Sequence, residues 1–129
     1  MFKAEGGEGF VVFNGPDEQL VAGLAIGADG GIGGTYGVMP ELYLRIMELV
    51  KSGKLEEAQQ VQYAANEIIY AMCACHGNMY GVIKAIIKIR EGFDIGGVRR
   101  PLPSLIPEDR SQVKKCAEMI DQAMERFGI

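Results

Sequence analysis

FVVFNGPDEQLVAGLAIGADGGIGGTYGVMP, residues 10–40, is the stretch that decides how this chain folds. An apolar, valine-rich run from Phe10 to Phe13 stops at an Asn-Gly-Pro-Asp-Glu turn, which predicts a short buried strand. Asp17 stands where a helix N-cap is wanted, and Leu20, Val21 and Leu24 recur on one side of the helix expected next. A second, very short strand is expected near residues 30–35. Seven glycines fall at positions 23, 27, 30, 31, 33, 34 and 37. Inside helices or strands each glycine costs roughly 0.5–1 kcal/mol relative to alanine. Such a density therefore needs a reason: positive φ, close packing of elements, or a ligand against bare backbone.

Working outward, Pro40 opens a third element as a first-turn helix proline, with Leu42, Ile46, Leu49 and Val50 on its apolar side and Gly53 at its end. From Lys54 to about Cys75, the set Ala58, Val61, Ala65, Ile68 and Met72 repeats at 3-4-3-4, the spacing of an amphipathic helix. Gly77 and Asn78 break it. A further helix is predicted over 79–91, with Val82, Ile83, Ile86 and Ile87 inward. Residues 92–107 read as irregular, and a last helix covers 108–127 through Val113, Ala117, Ile120 and Met124. A strand–helix–strand–helix start with short loops is the signature of parallel α/β architecture. Two parallel strands leave both sheet edges open, so the pattern reads as part of something larger.

Composition narrows the class. The chain has 129 residues, 48% hydrophobic and 23% charged, with a formal charge of −4. That balance argues against nucleic acid or an anionic membrane surface as partner, since both recruit clustered Lys and Arg. No run approaches the ~20 apolar residues of a membrane span, and residues 1–10 do not resemble a secretion signal. Three cysteines, an odd number, suit free thiols and a cytoplasmic location.

The segment FNGPDEQLVAGLAIGADGGIGGTYGVM closely resembles the seventh- and eighth-strand region of N-acetylneuraminate lyases, in the dihydrodipicolinate synthase superfamily. There a strand ends in (Y/S)-(N/S)-G-x-D-E, and a helix leads to G-A-(D/T)-G-x-(I/V)-G-S-T-Y-N. The stretch HGNMYGVIKAIIKIREGFDIGGVRRPLPSL matches as well, so the resemblance runs from about Phe10 onward. It implies the C-terminal part of a (β/α)₈ barrel: residues 1–52 as the last βα units and 53–129 as a C-terminal helical extension, one mostly helical structural unit. It further implies a class I aldolase, in which a lysine forms a Schiff base with a 2-oxo acid such as pyruvate, with no cofactor and a homo-oligomeric assembly. A full barrel needs roughly 250 residues. The family's Schiff-base lysine belongs to strand six, and none of Lys3, Lys51, Lys54, Lys84, Lys88, Lys114 and Lys115 has that context. Without it the covalent step has no nucleophile, so no catalytic residue is assigned and the chain alone is expected to be inactive.

By position, Gly15, Asp17 and Glu18 match lyase residues that contact the hydroxylated tail of a sugar acid, and carboxylates accept hydrogen bonds from several hydroxyls. Read without the motif, Asp17 is a helix cap and Glu18 suits a positive helix N-terminus. Gly33 and Gly34 match the eighth-strand loop that approaches substrate. The family usually has Ser at the Gly34 position and Asn at the Gly37 position, so another 2-oxo sugar acid competes with sialic acid as ligand. The glycines fit neither G-x-G-x-x-G nor the P-loop pattern. Cys73, Cys75 and His76 lie too close along one helix to face a single ion, which predicts no metal site, helix-packed thiols and a helix-end role for His76. Met72, Met79, Met119 and Met124 read as core or interface. Arg99 and Arg100 are expected to tie down the irregular segment by salt bridges. Two rival functions compete: a non-catalytic module that oligomerises or pairs with a separate N-terminal half-barrel, and an independent small-molecule binder.

Overall fold

The computed structural model describes residues 2–129. A short N-terminal helix, α1 (Phe2–Gly6), precedes strand β1 (Phe13–Asn14). A 3₁₀ turn at Asp17–Gln19 runs into α2 (Leu20–Ala25), and β2 (Gly30–Gly31) follows. A second 3₁₀ turn at Thr35–Gly37 leads to α3 (Pro40–Lys51), α4 (Leu55–Cys73), α5 (Met79–Glu91) and α6 (Asp109–Phe127). β1 and β2 pair in parallel, Phe13 opposite Gly30 and Asn14 opposite Gly31. Two successive βα units, β1–α2 and β2–α3, thus stand against three further helices.

The helices form where the spacing predicts them. Pro40 occupies the first turn of α3, where its missing N–H is no loss. Left-handed glycines stop three helices: Gly53 (φ 75°) after α3, Gly92 (φ 77°) after α5 and Gly128 (φ 66°) after α6. At the start of α5 the Asn78 side chain accepts from Tyr80 N at 3.0 Å, closing one orphan donor. Ala58, Val61, Ala65, Ile68 and Met72 of α4 are all buried. They join Leu20, Leu42, Ile46, Val82, Ile86 and Ile120 in one contiguous core. Burying each large aliphatic side chain contributes about 1.5–3 kcal/mol. The core therefore lies among the helices rather than on the sheet. Met72 sits within it, while Met79, Met119 and Met124 pack against its edge.

Several expectations need correction. The apolar run before the first turn is not a buried strand: only Phe13 and Asn14 pair, and Phe10 and Phe13 are 47% and 57% exposed. β2 pairs on one side of β1, and among the described residues no strand pairs on the other. The second strand, by contrast, is as short as expected, two residues long, with Ile32 N still donating to Asn14 O at 3.0 Å beyond it. Cys73 is exposed and Cys75 half-buried; Cys116 alone is fully packed. Arg99 and Arg100 make no ion pair among the described residues. Arg90, just before that segment, bonds elsewhere, its guanidinium donating to Asp121 Oδ1 at 3.0 Å and Val38 O at 2.9 Å.

The irregular segment 92–107 is held by donors from α5. Lys84 Nζ donates to Gly97 O at 2.8 Å, Asn78 N donates to Pro103 O at 2.9 Å, and Lys88 pairs with Asp94 at 2.6 Å. Its end is anchored by Asp109, which is 2% exposed. The Asp109 carboxylate accepts from His76 N (2.8 Å), His76 Nδ1 (2.9 Å), Gly77 N (3.1 Å) and Ile106 N (3.1 Å). His76 therefore serves Asp109 rather than capping α4. Burial alone would raise the Asp109 pKa, but the hydrogen bonds from His76, Ile106 and Gly77 outweigh it and hold the carboxyl well below its usual 3.8.

That shift has a definite sign. A depressed folded-state pKa means the unfolded chain binds the proton first, so this stability is complete above the unfolded value of 3.8 and drains away as pH falls below it. Asp109→Asn should lower the urea midpoint near neutral pH, and the gap to wild type should narrow at about pH 3. Denaturation curves at the two pH values check this; a gap that is constant or widens in acid contradicts it.

Candidate functional site

The turn after β1 and the loop after β2 face each other across a cleft of about 360 Å³. Gly15, Asp17, Glu18, Gly33 and Gly34 all line it, joined by Pro16, Thr35, Ile69 of α4, and Met79 and Tyr80 of α5. All five sequence-predicted residues thus share one concavity, walled on its far side by the C-terminal helices.

Asp17 is not a helix cap. No side-chain cap bond forms at either the 3₁₀ turn or α2. Its Oδ2 accepts instead from Thr35 N at 2.9 Å and from Thr35 Oγ1 at 2.5 Å. Because the Thr35 hydroxyl gives its proton to Asp17, its oxygen accepts from the Tyr43 hydroxyl of α3 at 2.6 Å. Tyr43 is fully buried and stacks on Tyr36 with ring centroids 4.1 Å apart. Burial raises the pKa of both phenols, Tyr36 to about 12, with the Asp17 charge adding to the effect. The relay Tyr43–Thr35–Asp17 is therefore a fixed hydrogen-bond chain, with a protonated phenol at its buried end, that runs from core to cleft. Sequence reasoning missed Thr35 and Tyr43, although a Thr followed eight residues later by a Tyr on the inward face of a helix is a signal once Asp17 is placed opposite.

Gly33 is held to glycine as long as the Asp17 carboxylate keeps its Thr35 contacts. A Cβ there would overlap the Asp17 carboxylate, Oδ1 first. Gly34 is less constrained: a Cβ would come 3.0 Å from the Tyr80 ring and 3.6 Å from Ile83, so Tyr80 already occupies the space above it. With Oδ2 committed to Thr35, Asp17 Oδ1 and the Glu18 carboxylate make no hydrogen bond among the described residues. Two carboxylate edges and bare glycine backbone on one rim can accept several hydroxyl donors. Among the described residues no group of His, Cys, Asp and Glu is arranged to hold a metal ion, and no lysine lines the cleft.

The dihydrodipicolinate synthetase family profile matches residues 1–120. The chain belongs to that family. It is 58% identical over 127 residues to the N-acetylneuraminate lyase of Mediterraneibacter gnavus, covering 98% of this chain and 40% of that protein. The solved structure of a Ruminococcus gnavus sialic acid aldolase superposes with a TM-score of 0.95 at 57% identity, over 98% of this chain and 42% of the other. The Clostridium difficile protein CdNal, solved in complex with mannosamine, superposes with a TM-score of 0.78 at 30% identity, over 84% and 36% of the two chains. The fold is accordingly the C-terminal part of a TIM barrel with its helical extension, and the chain spans about 40% of the length of the two gnavus relatives. No helix among the described residues is long and apolar enough to cross a membrane.

Thr35→Val removes the hydroxyl that satisfies both Asp17 and Tyr43 and strands the buried Tyr43 donor. Leaving a buried polar group unpaired costs about 1–3 kcal/mol, so the urea midpoint should fall accordingly. An unchanged midpoint would show that the relay contributes nothing.

Proposed function

We propose that this chain supplies the hydroxyl-recognising half of a Schiff-base aldolase site acting on a 2-oxo sugar acid, with pyruvate as product or substrate. The observation that carries the reading is the convergence of Asp17, Glu18 and the glycine backbone of residues 15, 33 and 34 on one cleft. Asp17 Oδ1 and Glu18 accept from the ligand's hydroxyls, and Gly33 and Gly34 let it lie against the backbone. The named relatives, lyases and aldolases of sialic acid, support the substrate class. Aldol cleavage through a Schiff base needs an amine nucleophile. With no lysine on the cleft, that amine has to come from outside residues 1–129.

A second reading is favoured by the sheet. β1 and β2 pair only with each other, and Val11, Phe13 and Ile32 beside them are exposed. Unpaired parallel edges with apolar flanks seek further strands. The chain then acts as a complementing or oligomerising module, closing its edges against a separate N-terminal half-barrel or a second copy.

Mixing this chain with a separately produced N-terminal half of the barrel and assaying pyruvate release from N-acetylneuraminate tests both readings. The chain alone should release none, and the mixture should be active. In that mixture Asp17→Asn should lower kcat/KM by about tenfold to a hundredfold, or roughly 1.4–2.8 kcal/mol of transition-state binding. Turnover by the chain alone, or an indifferent Asp17→Asn, contradicts the proposal. Light scattering at micromolar concentration should also show assemblies larger than one chain; a well-folded monomer would count against edge closure.

A further inference from the structure

Behind the cleft, α4 presents two amides to the backbone that carries the acidic pair. Gln62, 5% exposed, has every polar atom engaged. Its Nε2 donates to Asp17 O at 3.1 Å and to Asn66 Oδ1 at 2.9 Å, and its Oε1 accepts from Val21 N at 3.1 Å. Asn66 sits one turn along the same face, and its Nδ2 donates to Glu18 O at 3.2 Å. The carbonyls of both acidic residues, and the first free amide of α2, are thus clasped by side chains more than 40 residues away in sequence.

We infer that Gln62 and Asn66 are positioning residues for the Asp17–Glu18 pair, and that the helical extension thereby sets how well the cleft holds a hydroxylated ligand. This rests on the reading of Asp17 and Glu18 as hydroxyl acceptors. The 3₁₀ turn at 17–19 is too short to fix its own orientation. Thr35 pins one oxygen of one carboxylate, which leaves the Glu18 side chain free to swing with its backbone. Among the described residues, the side-chain hydrogen bond that reaches Glu18 is the one from Asn66 to its carbonyl. Buried amide networks in which every donor and acceptor is matched tolerate no rotation without orphaning a group. The clasp therefore transmits the rigidity of a 19-residue helix to two cleft carboxylates that it does not itself touch through their side chains. Neither Gln62 nor Asn66 is expected to meet the ligand.

The test uses the full chain, with mannosamine as hydroxylated probe and NMR titration as readout. Asn66→Ala should weaken probe affinity about tenfold, equivalent to about 1.4 kcal/mol. In a chain already carrying Asp17→Asn and Glu18→Gln, the same change should alter affinity less than about twofold, because positioning has nothing left to position. Amide hydrogen exchange supplies an arm that needs no ligand: Gln62→Leu should accelerate exchange at Val21 while the amides of α6 keep their protection. If the Asp17/Glu18 double variant weakens binding but Asn66→Ala does not, the inference fails and the underlying reading stands. If Asn66→Ala weakens binding equally in both backgrounds, its effect is general to the fold and the inference also fails. A wild-type chain indifferent to mannosamine, or equally responsive after the double substitution, overturns the reading of the acidic pair and this inference with it. Val21 exchange unchanged in Gln62→Leu shows that the clasp does not hold the turn.

Discussion

The Asp17 carboxylate bridges two loops that share no backbone hydrogen-bond ladder, and the rest of the cleft follows from that bridge. β1 and β2 contribute only two residues each to their pairing. The loops after them would diverge if nothing crossed between them. One carboxylate oxygen, taking both the amide and the hydroxyl of Thr35, crosses that gap. Charge-assisted bonds of this kind are about twice as strong as neutral ones. The approach is so close that a side chain at position 33 would have to displace the Asp17 carboxylate. The glycine-rich loop is therefore partly a steric consequence of one aspartate.

On the proposed reading, this arrangement divides the two oxygens of Asp17 between structure and recognition. Oδ2 is spent on the fold, with Tyr43 anchoring Thr35 from the core. Oδ1, which lies against Gly33, and the Glu18 carboxylate make no hydrogen bond among the described residues. A site that uses structural hydrogen bonds to aim its free acceptors is pre-organised, and a ligand then meets less ordering cost on binding. The same economy explains why so small a sheet can support a site at all. Rigidity comes from α3 and α4, whose buried faces form the core, and it reaches the loops through Tyr43, Gln62 and Asn66.

The sequence makes some of this legible and hides the rest for physical reasons. The helices from Pro40 to Phe127 announce themselves because 3.6-residue periodicity survives in any context that buries one face. Gly53 and Gly92 mark their ends because left-handed backbone excludes most other residues. The five cleft residues are recognisable by motif, yet Asp17 as a helix cap is wrong. An aspartate after Asn-Gly-Pro looks the same whether it caps its own helix or reaches a threonine 18 residues on. Gln62 and Asn66 leave no local signal, since an amide on a helix reads as a solvated position until its partners are known. The Phe10–Phe13 run predicts burial from composition, but burial needs neighbouring strands, and only β2 is beside it. Arg99 and Arg100 draw attention next to a proline, whereas Lys84, Lys88 and Asp109 do the work they suggest.

The most direct test of the account is a crystal structure of the chain soaked with a hydroxylated sugar acid such as N-acetylneuraminate. The account predicts ligand hydroxyls within hydrogen-bonding distance of Asp17 Oδ1 and the Glu18 carboxylate, with the Thr35 contacts to Oδ2 intact. Ligand bound elsewhere, or an Asp17 that abandons Thr35 to reach it, would contradict the division between structural and recognising oxygens.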